Sequence, residues 1–258
     1  MNNHEIDFIL FGEEMQCVEV ELDPNEAVIA EPGSFMMMTD GIQMQTLFGD
    51  GNQKGFMDKL FSAGKRLLTG ESLFMTVYTN NSNQKRQVTF AAPYAGKIIP
   101  MNLSKLGGKL ICQKDSFLCA AKGVAVGIEF QKKLGTGLFG GEGFIMQKLE
   151  GDGMAFVHSG GHVIEKQLQA GEILKIDTGC IVAFTSDVNY DIQFVGGIKN
   201  TLFGGEGVFY ALLSGPGKVW IQTLPISRLA GRILSYGTGS RKEEGSILGG
   251  IGNLLDGD

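Results

Sequence analysis

The chain contains the stretch Leu138-Phe139-Gly140-Gly141-Glu142-Gly143 and repeats it almost unchanged, 64 residues later, as Leu202-Phe203-Gly204-Gly205-Glu206-Gly207. A weaker copy, Leu67-Leu68-Thr69-Gly70-Glu71-Ser72, precedes both. Repetition of this kind indicates that one supersecondary unit is used several times in the chain. It also provides an internal control, because chemistry assigned to one copy should be present in the others.

The segments around these copies are typical of short antiparallel strands. Apolar and polar residues alternate in Val18–Leu22 and in Tyr190–Phe194, a period of two that predicts half-buried strands. The 258 residues include 39 glycines but only 6 prolines, which indicates tight turns rather than disorder. The glycines predicted to form the turns of the repeat are Gly70, Gly141, Gly205, Gly151, Gly153, Gly215 and Gly217. We therefore expect an all-β protein of three repeated antiparallel β-sandwich-like units, at about residues 13–97, 98–162 and 163–225.

The first unit carries an insertion of about ten residues before its Gly-Glu pair. Within residues 55–68 the apolar side chains are spaced as on a short helix, and the segment is locally basic. One interpretation is a helix that binds a membrane surface or a partner protein. The other is a helical lid packed on its own sheet, which Gly64 and the short length favour. The candidate contact residues are Phe56, Leu60, Phe61, Lys65 and Arg66.

Four methionines, Met36, Met37, Met38 and Met44, crowd the same unit. Because methionine is flexible and polarisable, such a group could form an adaptable contact surface. Core filling is the commoner use of this residue, so both interpretations are left open.

A helix is predicted after the third unit. Pro225 ends the last strand, and the apolar residues from Ile226 to Leu234 follow at helical spacing. We expect a C-terminal helix over residues 226–236 and a flexible tail over 237–258. The apolar part of that tail, 247–255, is a second candidate contact element for another subunit or for the body of the same chain.

The overall charge argues against a dedicated nucleic-acid binder. The formal net charge is −6 and the isoelectric point is near 5.2, whereas such proteins depend on a basic surface. The four cysteines lie in apolar runs without a C-x-x-C pair. No secretory signal and no apolar run of membrane-spanning length is visible. These features predict a cytoplasmic protein.

Two candidate motifs are rejected, the first by comparison between units and the second by its local sequence. Residues 135–140 match the dinucleotide fingerprint G-x-G-x-x-G, but the third unit has Lys199 and Thr201 where the first two glycines stand. His158 and His162 are four residues apart, but the Ser-Gly-Gly between them predicts a turn rather than a metal-binding helix face. We therefore predict no metal site, no cofactor and no catalytic residues.

The repeated glutamates Glu71, Glu142 and Glu206 each follow a turn glycine. The favoured interpretation is structural, because the carboxylate can accept hydrogen bonds from N–H groups that the turn leaves unpaired. The alternative is convergence of the three carboxylates about a pseudo-symmetry axis, which would form a cation or acid–base site.

The repeat stretch at 202–207, followed by Gly215–Pro225, resembles the altered-inheritance-of-mitochondria 24 family over about Phe8 to Tyr236. The resemblance implies a fold like that of the tryptophan RNA-binding attenuator protein, with β units in a ring-like homotrimer. Mitochondrial members are implicated in inner-membrane organisation and respiratory-complex assembly, and bacterial members are largely of unknown function. The resemblance carries no catalytic residues. The start of this chain lacks a transit-type composition, which favours a bacterial cytoplasmic protein.

The leading hypothesis is a non-catalytic, homo-oligomeric β scaffold, most simply a trimer, that binds a partner protein or a membrane-associated assembly. The alternative is a protein that binds a small ligand or a cation through the three glutamates. RNA binding comes third, because the net charge is acidic and the Lys and Arg residues are scattered.

Overall fold

The computed structural model describes residues 3, 5–47, 75–132, 144–194 and 209–239. Within these residues the chain is almost entirely β, so the prediction of an all-β fold is confirmed. The strands are β1 (Asp7–Phe11), β2 (Cys17–Leu22), β3 (Ala27–Ala30), β4 (Phe35–Met38), β5 (Ile42–Leu47), β6 (Met75–Asn80), β7 (Arg86–Ala91), β8 (Gly96–Asn102), β9 (Lys109–Gln113), β10 (Phe117–Ala121), β11 (Ala125–Lys132), β12 (Phe144–Glu150), β13 (Met154–Gly160), β14 (Val163–Leu168), β15 (Ile173–Asp177), β16 (Ile181–Thr185), β17 (Asn189–Phe194), β18 (Phe209–Ser214) and β19 (Gly217–Gln222). The helices are three 3₁₀ turns (Leu103–Leu106, Lys114–Ser116 and Thr178–Cys180) and the α-helix α1 (Ile226–Gly239).

The described strands form four sheets in which neighbouring strands pair in antiparallel fashion. The strand orders are β1-β2-β7-β4, β5-β6-β3-β10-β13-β8, β11-β12-β9-β16-β19-β14 and β15-β18-β17. Each six-stranded sheet joins three strands of one predicted unit to three strands of the next. The units therefore share sheets, and the junctions are β3 with β10 and β9 with β16.

Strand pairing recurs along the chain at the 64-residue offset of the sequence repeat. Leu110 lies opposite Leu149 in the β9–β12 pair, and Leu174 lies opposite Leu213 in the β15–β18 pair. A register shift also occurs at the same place in β10 against β13 and in β16 against β19. Residues at the same register position in different units are called equivalent below.

In the strands with alternating sequences, every second side chain is buried in the core. In β2, Val18, Val20 and Leu22 are fully buried, while Glu19 and Glu21 between them are half-buried on the opposite face. The junction strands β10 and β16 are buried at every position, which explains why their sequences are continuous apolar runs rather than alternating ones.

Two apolar clusters form the core. The larger one spans the first and second units and contains Phe90 and Phe156, and the smaller one lies mainly in the third unit and contains Phe144 and Phe184. All four of these rings are fully buried. Burial of a large aromatic side chain contributes about 1.5–3 kcal/mol, so these rings are major contributors to stability.

The helix α1 begins directly after Pro225 and continues to Gly239, three residues beyond the predicted end. Its first turn is attached to the third unit, because the Arg228 guanidinium lies 3.5 Å from the carboxylate of Asp177. Further along, Ile233 and Leu234 are exposed. The predicted tail beyond residue 239 lies outside the described residues.

Candidate functional site

The repeat glutamates Glu71, Glu142 and Glu206 lie outside the described residues. The same is true of Gly70, Gly141 and Gly205 and of the insertion residues Phe56, Leu60, Phe61, Lys65 and Arg66. Convergence of the glutamates on a cation or acid–base site therefore stays a prediction. The contact role of the insertion and of the tail at 247–255 stays a prediction as well.

Gly151 and Gly215 occupy equivalent positions in two turns. The Gly151 N–H donates to the carbonyl of Gly108 at 3.0 Å, and the Gly215 N–H donates to the carbonyl of Glu172 at 3.0 Å. The first turn leads into β13 and the second into β19. These glycines thus satisfy backbone groups at the points where strands reverse direction.

Gly153 and Gly217, which follow Gly151 and Gly215 in the same two turns, have no space for a side chain. A Cβ atom at Gly217, which has φ +143°, would lie 2.5 Å from Cγ2 of Val188 and 2.6 Å from the hydroxyl of Thr185. A Cβ atom at Gly153 would lie 2.9 Å from the side chain of Asn3. Close packing at these positions requires glycine, so their function is structural.

His158 lies within β13, not in the turn that the sequence predicted. The turn comes later, at Gly161, where φ is +67°. The buried imidazole has its Nε2 3.1 Å from the carbonyl oxygen of Tyr94. Because a carbonyl only accepts, Nε2 carries the proton and donates. Burial lowers the pKa of His158 to about 4, and the hydrogen bond to Tyr94 opposes this shift only partly.

His158 is therefore neutral at physiological pH and buried in the interior. Its Nδ1 has no hydrogen-bond partner among the residues that the structure describes. His162 lies beyond the turn with its side chain exposed, and its N–H donates to the hydroxyl of Thr223. Within the ranges that the structure describes, no group of three or more His, Cys, Asp and Glu side chains is arranged to hold a metal ion.

The buried cysteines are held as thiols. Cys112 and Cys119 are fully buried, and burial raises the pKa of both thiols well above the ordinary value. For Cys112 the charge of Glu31 raises the pKa further. The thiolate is the nucleophilic form of cysteine, so these two side chains behave as small apolar residues at neutral pH. Cys17 and Cys180 are half-buried, and neither forms a disulfide within the described residues.

A buried glutamine connects the second and third units. The side-chain oxygen of Gln222 accepts from the Gly160 N–H at 2.7 Å, and its Nε2 donates to the carbonyl of Gly179 at 2.8 Å. Gln222 is the equivalent of His158, which bonds to the preceding segment through a different group, by donating to the Tyr94 carbonyl. Both side chains therefore serve to join successive segments of the chain.

The methionines of the first unit form an exposed surface. We call the side chains of Phe35, Met36, Met37, Met38 and Met44 the methionine edge. Their exposed fractions lie between 39% and 54%, so this group does not fill the core. The first four belong to β4, which is an outer strand of its sheet. Exposed methionines on an edge strand are typical of a contact surface.

A second exposed surface was not predicted from the sequence. Ile9 and Phe11 point to the same face of β1, and Met15 follows in the turn to β2; we call these three residues the N-terminal apolar face. The signal for it is the sequence Phe8-Ile9-Leu10-Phe11, because an edge strand with one solvated face should alternate with polar residues.

Acidic side chains surround the N-terminal apolar face. Asp7 precedes Ile9 on the exposed face of β1, and the exposed Glu13 and Glu14 lie in the turn before Met15. Further along the sheet, Lys85 is held by Glu21 at 2.7 Å and by other carboxylates. Asp7 is one of these carboxylates, at 3.7 Å from Lys85, and Lys97 lies 3.9 Å from Glu14. The two lysines offset part of the acidic charge, and carboxylates remain in excess beside this face.

None of the described helices has the length and apolar composition needed to cross a membrane. The helix α1 spans 14 residues and carries Arg228 and Arg232.

The fold is similar to that of a solved structure. An X-ray crystal structure of a protein from Streptococcus pyogenes superimposes with a TM-score of 0.71 and covers 90% of this chain and 100% of that one. The sequence identity is 23%, so the similarity establishes the fold alone.

The sequence is also similar to an uncharacterized protein of Streptococcus pyogenes serotype M6. The two are 30% identical over 223 residues, which is 85% of this chain and 86% of the relative. The family model of Mitochondrial biogenesis AIM24 matches residues 8–224, all three units included. The chain therefore belongs to the Mitochondrial biogenesis AIM24 family.

Proposed function

We propose that the protein is a non-catalytic β scaffold that assembles with copies of itself and holds a partner protein. One observation carries the proposal: exposed large apolar side chains concentrate in the first 44 residues. Among the described residues, eight of the twelve such side chains lie between Ile9 and Met44. Exposed apolar side chains that are grouped in this way are typical of interaction sites.

The two apolar surfaces lie on opposite edges of one sheet. Four of the five side chains of the methionine edge are on β4 and the N-terminal apolar face is on β1, and these are the outer strands of β1-β2-β7-β4. The fifth, Met44, is on β5. A sheet with two free edges can receive a neighbouring strand on each side. This arrangement supports a scaffold that makes two different contacts at the same time.

The N-terminal apolar face favours a protein partner over a membrane. Ile9 and Phe11 supply apolar contact area, and Asp7, Glu13 and Glu14 supply negative charge beside it. Anionic lipid surfaces repel such a rim, whereas an apolar segment with Lys or Arg residues complements it. We infer a partner that adds an extended apolar and basic segment along β1.

The protonation states of the buried side chains also favour a non-catalytic scaffold. Three buried side chains with strongly altered pKa values are held in their uncharged forms: His158 is neutral, and the thiols of Cys112 and Cys119 are protonated at neutral pH. Within the described residues the four cysteines form no disulfide, in keeping with a reducing compartment such as the bacterial cytoplasm.

Photo-crosslinking in cells tests the proposed partner surface. A photoreactive phenylalanine analogue replaces Phe11 in one variant and Ile164 in the control. Ile164 is a suitable control because it is also exposed on an edge strand, β14, in the third unit. We expect one discrete adduct from position 11, its loss on Ile9→Ser, and no adduct from position 164.

Absence of an adduct at position 11 contradicts the proposed partner. An adduct that contains only a second copy of this chain also contradicts it, because β1 would then be a self-contact.

A further inference from the structure

The strand β1 is an addition to the first unit. Each of β4, β10 and β16 makes a shifted pairing, with β7, β13 and β19 respectively, so these strands are equivalent across the units. On their other side, β7, β13 and β19 pair with β2, β8 and β14. In the described part of the chain β8 and β14 end their sheets, whereas β2 is followed by β1. Among the described strands, β1 therefore forms an edge that has no counterpart in the other units.

The edge of β8 is closed by the turn that follows β1. The Gly96 N–H donates to the carbonyl of Glu14 at 2.7 Å, and the Ile98 N–H donates to the side-chain oxygen of Gln16 at 2.7 Å. Pro100, two residues further along the strand, has no N–H to offer. Coverage by a turn and a proline on the edge are two ways in which proteins prevent unwanted strand pairing.

The edge of β14 is protected by charge. Glu165, Lys166 and Gln167 are exposed in the middle of this strand. The carboxylate of Glu165 lies 2.7 Å from the ammonium of Lys218 and accepts from the indole N–H of Trp220 at 2.9 Å. A strand added at this edge would cover charged side chains, which opposes pairing.

The strand β1 has neither kind of protection. After Asp7 its sequence is Phe8-Ile9-Leu10-Phe11, without proline or lysine. Ile9 and Phe11 are exposed on one face, and Phe8 and Leu10 are half-buried on the other. Successive side chains of a strand point to opposite faces, so a strand added beside β1 meets apolar side chains on both of its faces.

The hydrogen-bond register shows which backbone groups of β1 point outward. The Ala92 N–H donates to the carbonyl of Gln16 at 2.9 Å, so this pair is hydrogen-bonded between β7 and β2. Hydrogen-bonded and non-hydrogen-bonded pairs alternate along an antiparallel ladder, so Glu19 of β2 directs its N–H and C=O groups to Ile9 of β1. The residues on either side of Ile9 therefore direct theirs away from β2, to the open edge.

We propose that β1 accepts a partner strand that consists of a continuous apolar run, as long as the five residues of β1, bounded by Lys or Arg. The strand pairs with the outward N–H and C=O groups of Phe8 and Leu10. The inference rests on the partner-binding part of the proposed function and names the class of segment that binds and the groups that hold it. In strand addition the main-chain bonds supply affinity, and the side chains supply specificity.

The basic ends follow from the charges at both ends of β1. Asp7 is exposed at the start of the strand, and Glu13 and Glu14 are exposed just after its end. Lys85 and Lys97 offset part of this charge, but Lys85 is shared with two further carboxylates. Lys or Arg residues on both sides of the apolar run therefore complement this edge.

The experiment measures the binding of labelled synthetic peptides to the full chain by fluorescence anisotropy. The probe has five alternating Val and Ile residues between two lysines at each end. In the second peptide Ser replaces every other apolar residue, and in the third Glu replaces the lysines. We expect each of these two to bind at least tenfold more weakly, since one lacks an apolar face and the other is repelled.

A fourth peptide tests the main-chain pairing. It carries N-methyl groups on two neighbouring central amides, so one of them faces β1 in either register of the strand. We expect at least tenfold weaker binding, because that amide has lost its donor. The matched control carries the two N-methyl groups on the terminal lysines, outside the apolar run, and should bind within twofold of the probe.

Two measurements on the protein locate the binding edge. Hydrogen exchange of the complex should show slower exchange at the amides of Phe8 and Leu10 and no change at Ile9, which β2 already binds. Phe11→Lys should weaken binding of the probe at least tenfold, because a lysine protects a strand edge. Ile164→Lys, the same kind of change on the exposed edge strand β14, is the control and should leave binding unchanged.

Four results would overturn the proposal. They are no binding of the lysine-flanked probe, equal binding of the Ser-substituted peptide, equal binding of the centrally methylated peptide, and protection at amides other than Phe8 and Leu10. In each of these cases an adduct from position 11 in cells would still show a partner at that surface. Failure of this pairing mode and failure of the proposed function are therefore distinguishable.

Discussion

The imidazole of His158 packs edge-on against the ring of Tyr94, with ring centroids 4.4 Å apart and an interplanar angle of 81°. The same imidazole donates from Nε2 to the backbone carbonyl of Tyr94. Ring contact and hydrogen bond together attach the end of β13 to the segment that connects the first and second units. Burial of the ring favours the neutral imidazole, and this preference makes the stability of the protein depend on pH.

We expect the protein to lose stability as the pH falls from about 6.5 to about 4. Burial lowers the pKa of His158 to about 4 in the folded state, so the unfolded state binds more protons in this range. The stability is therefore fully present above the unfolded pKa and is lost on acidification, by up to about 3 kcal/mol. Urea unfolding at pH 7.0, 5.5 and 4.5 measures the loss.

His158→Gln should remove this part of the pH dependence, because the equivalent residue Gln222 shows that the position can hold an amide. His162→Gln, at an exposed histidine, is the control and should leave the slope unchanged. If His158→Gln kept the same dependence of stability on pH as the unsubstituted protein, another group would be the cause of the acid sensitivity.

Gly217→Ala should destabilise the fold by about 2–4 kcal/mol, as the sum of backbone strain at φ +143° and overpacking against Val188 and Thr185. Gly171→Ala is the matched control, because Gly171 also has a positive φ, +81°, but no atom lies within 4 Å of an added Cβ. Chemical denaturation of both variants separates the strain from the overpacking. Equal losses would mean that the close contact at Gly217 relaxes without cost.

Phe156→Ala should cost about 3–5 kcal/mol, since the ring is fully buried and contacts the ring of Phe8 at 4.9 Å between centroids. Phe35→Ala removes an equally large ring that is 40% exposed, and it should cost less than half as much. The comparison is made by thermal and urea unfolding. A similar cost for both would indicate that Phe35 is covered by another part of the molecule or by a second copy.

Thiol alkylation should divide the cysteines into two classes. Cys112 and Cys119 are buried and protonated, so we expect them to react at least tenfold more slowly than Cys17 and Cys180 in the folded protein. Mass spectrometry after a short pulse of alkylating agent at pH 8 counts the modified sites, and a pulse in urea should modify all four. Rapid reaction of Cys112 in the folded state would contradict the junction between β9 and β16.

The local sequence pattern predicted the strands and the helix better than it predicted which side chains are buried or exposed. Alternation in Val18–Leu22 and helical spacing after Pro225 correctly indicated β2 and α1, because periodicity reports directly on the backbone. His158 was assigned to a turn because Ser-Gly-Gly follows it, yet β13 continues to Gly160. Pairing with β8 holds this segment extended, and local propensity does not include such pairing.

The exposure of the methionines in β4 could not be predicted from the sequence. Met36, Met37 and Met38 have the same apolar character as the fully buried Leu118, Cys119 and Ala120 in the equivalent strand. In the described part of the chain, β10 has a strand on both sides, whereas β4 has one only on the side of β7. The acidic rim beside Ile9 is likewise assembled from β1 and the following turn, and only the folded chain brings the apolar and charged side chains to one surface.

The amino-acid sequence by itself determined the β class, the 64-residue recurrence, the family and the start of the C-terminal helix. Each of these depends on local periodicity or on residue identity. Only the tertiary structure decided that neighbouring units share sheets, that His158 is buried against Tyr94, and that β4 and β15 are left as outer strands. Strand pairing joins residues far apart in the chain, so edges and exposed surfaces are properties of the assembled sheets.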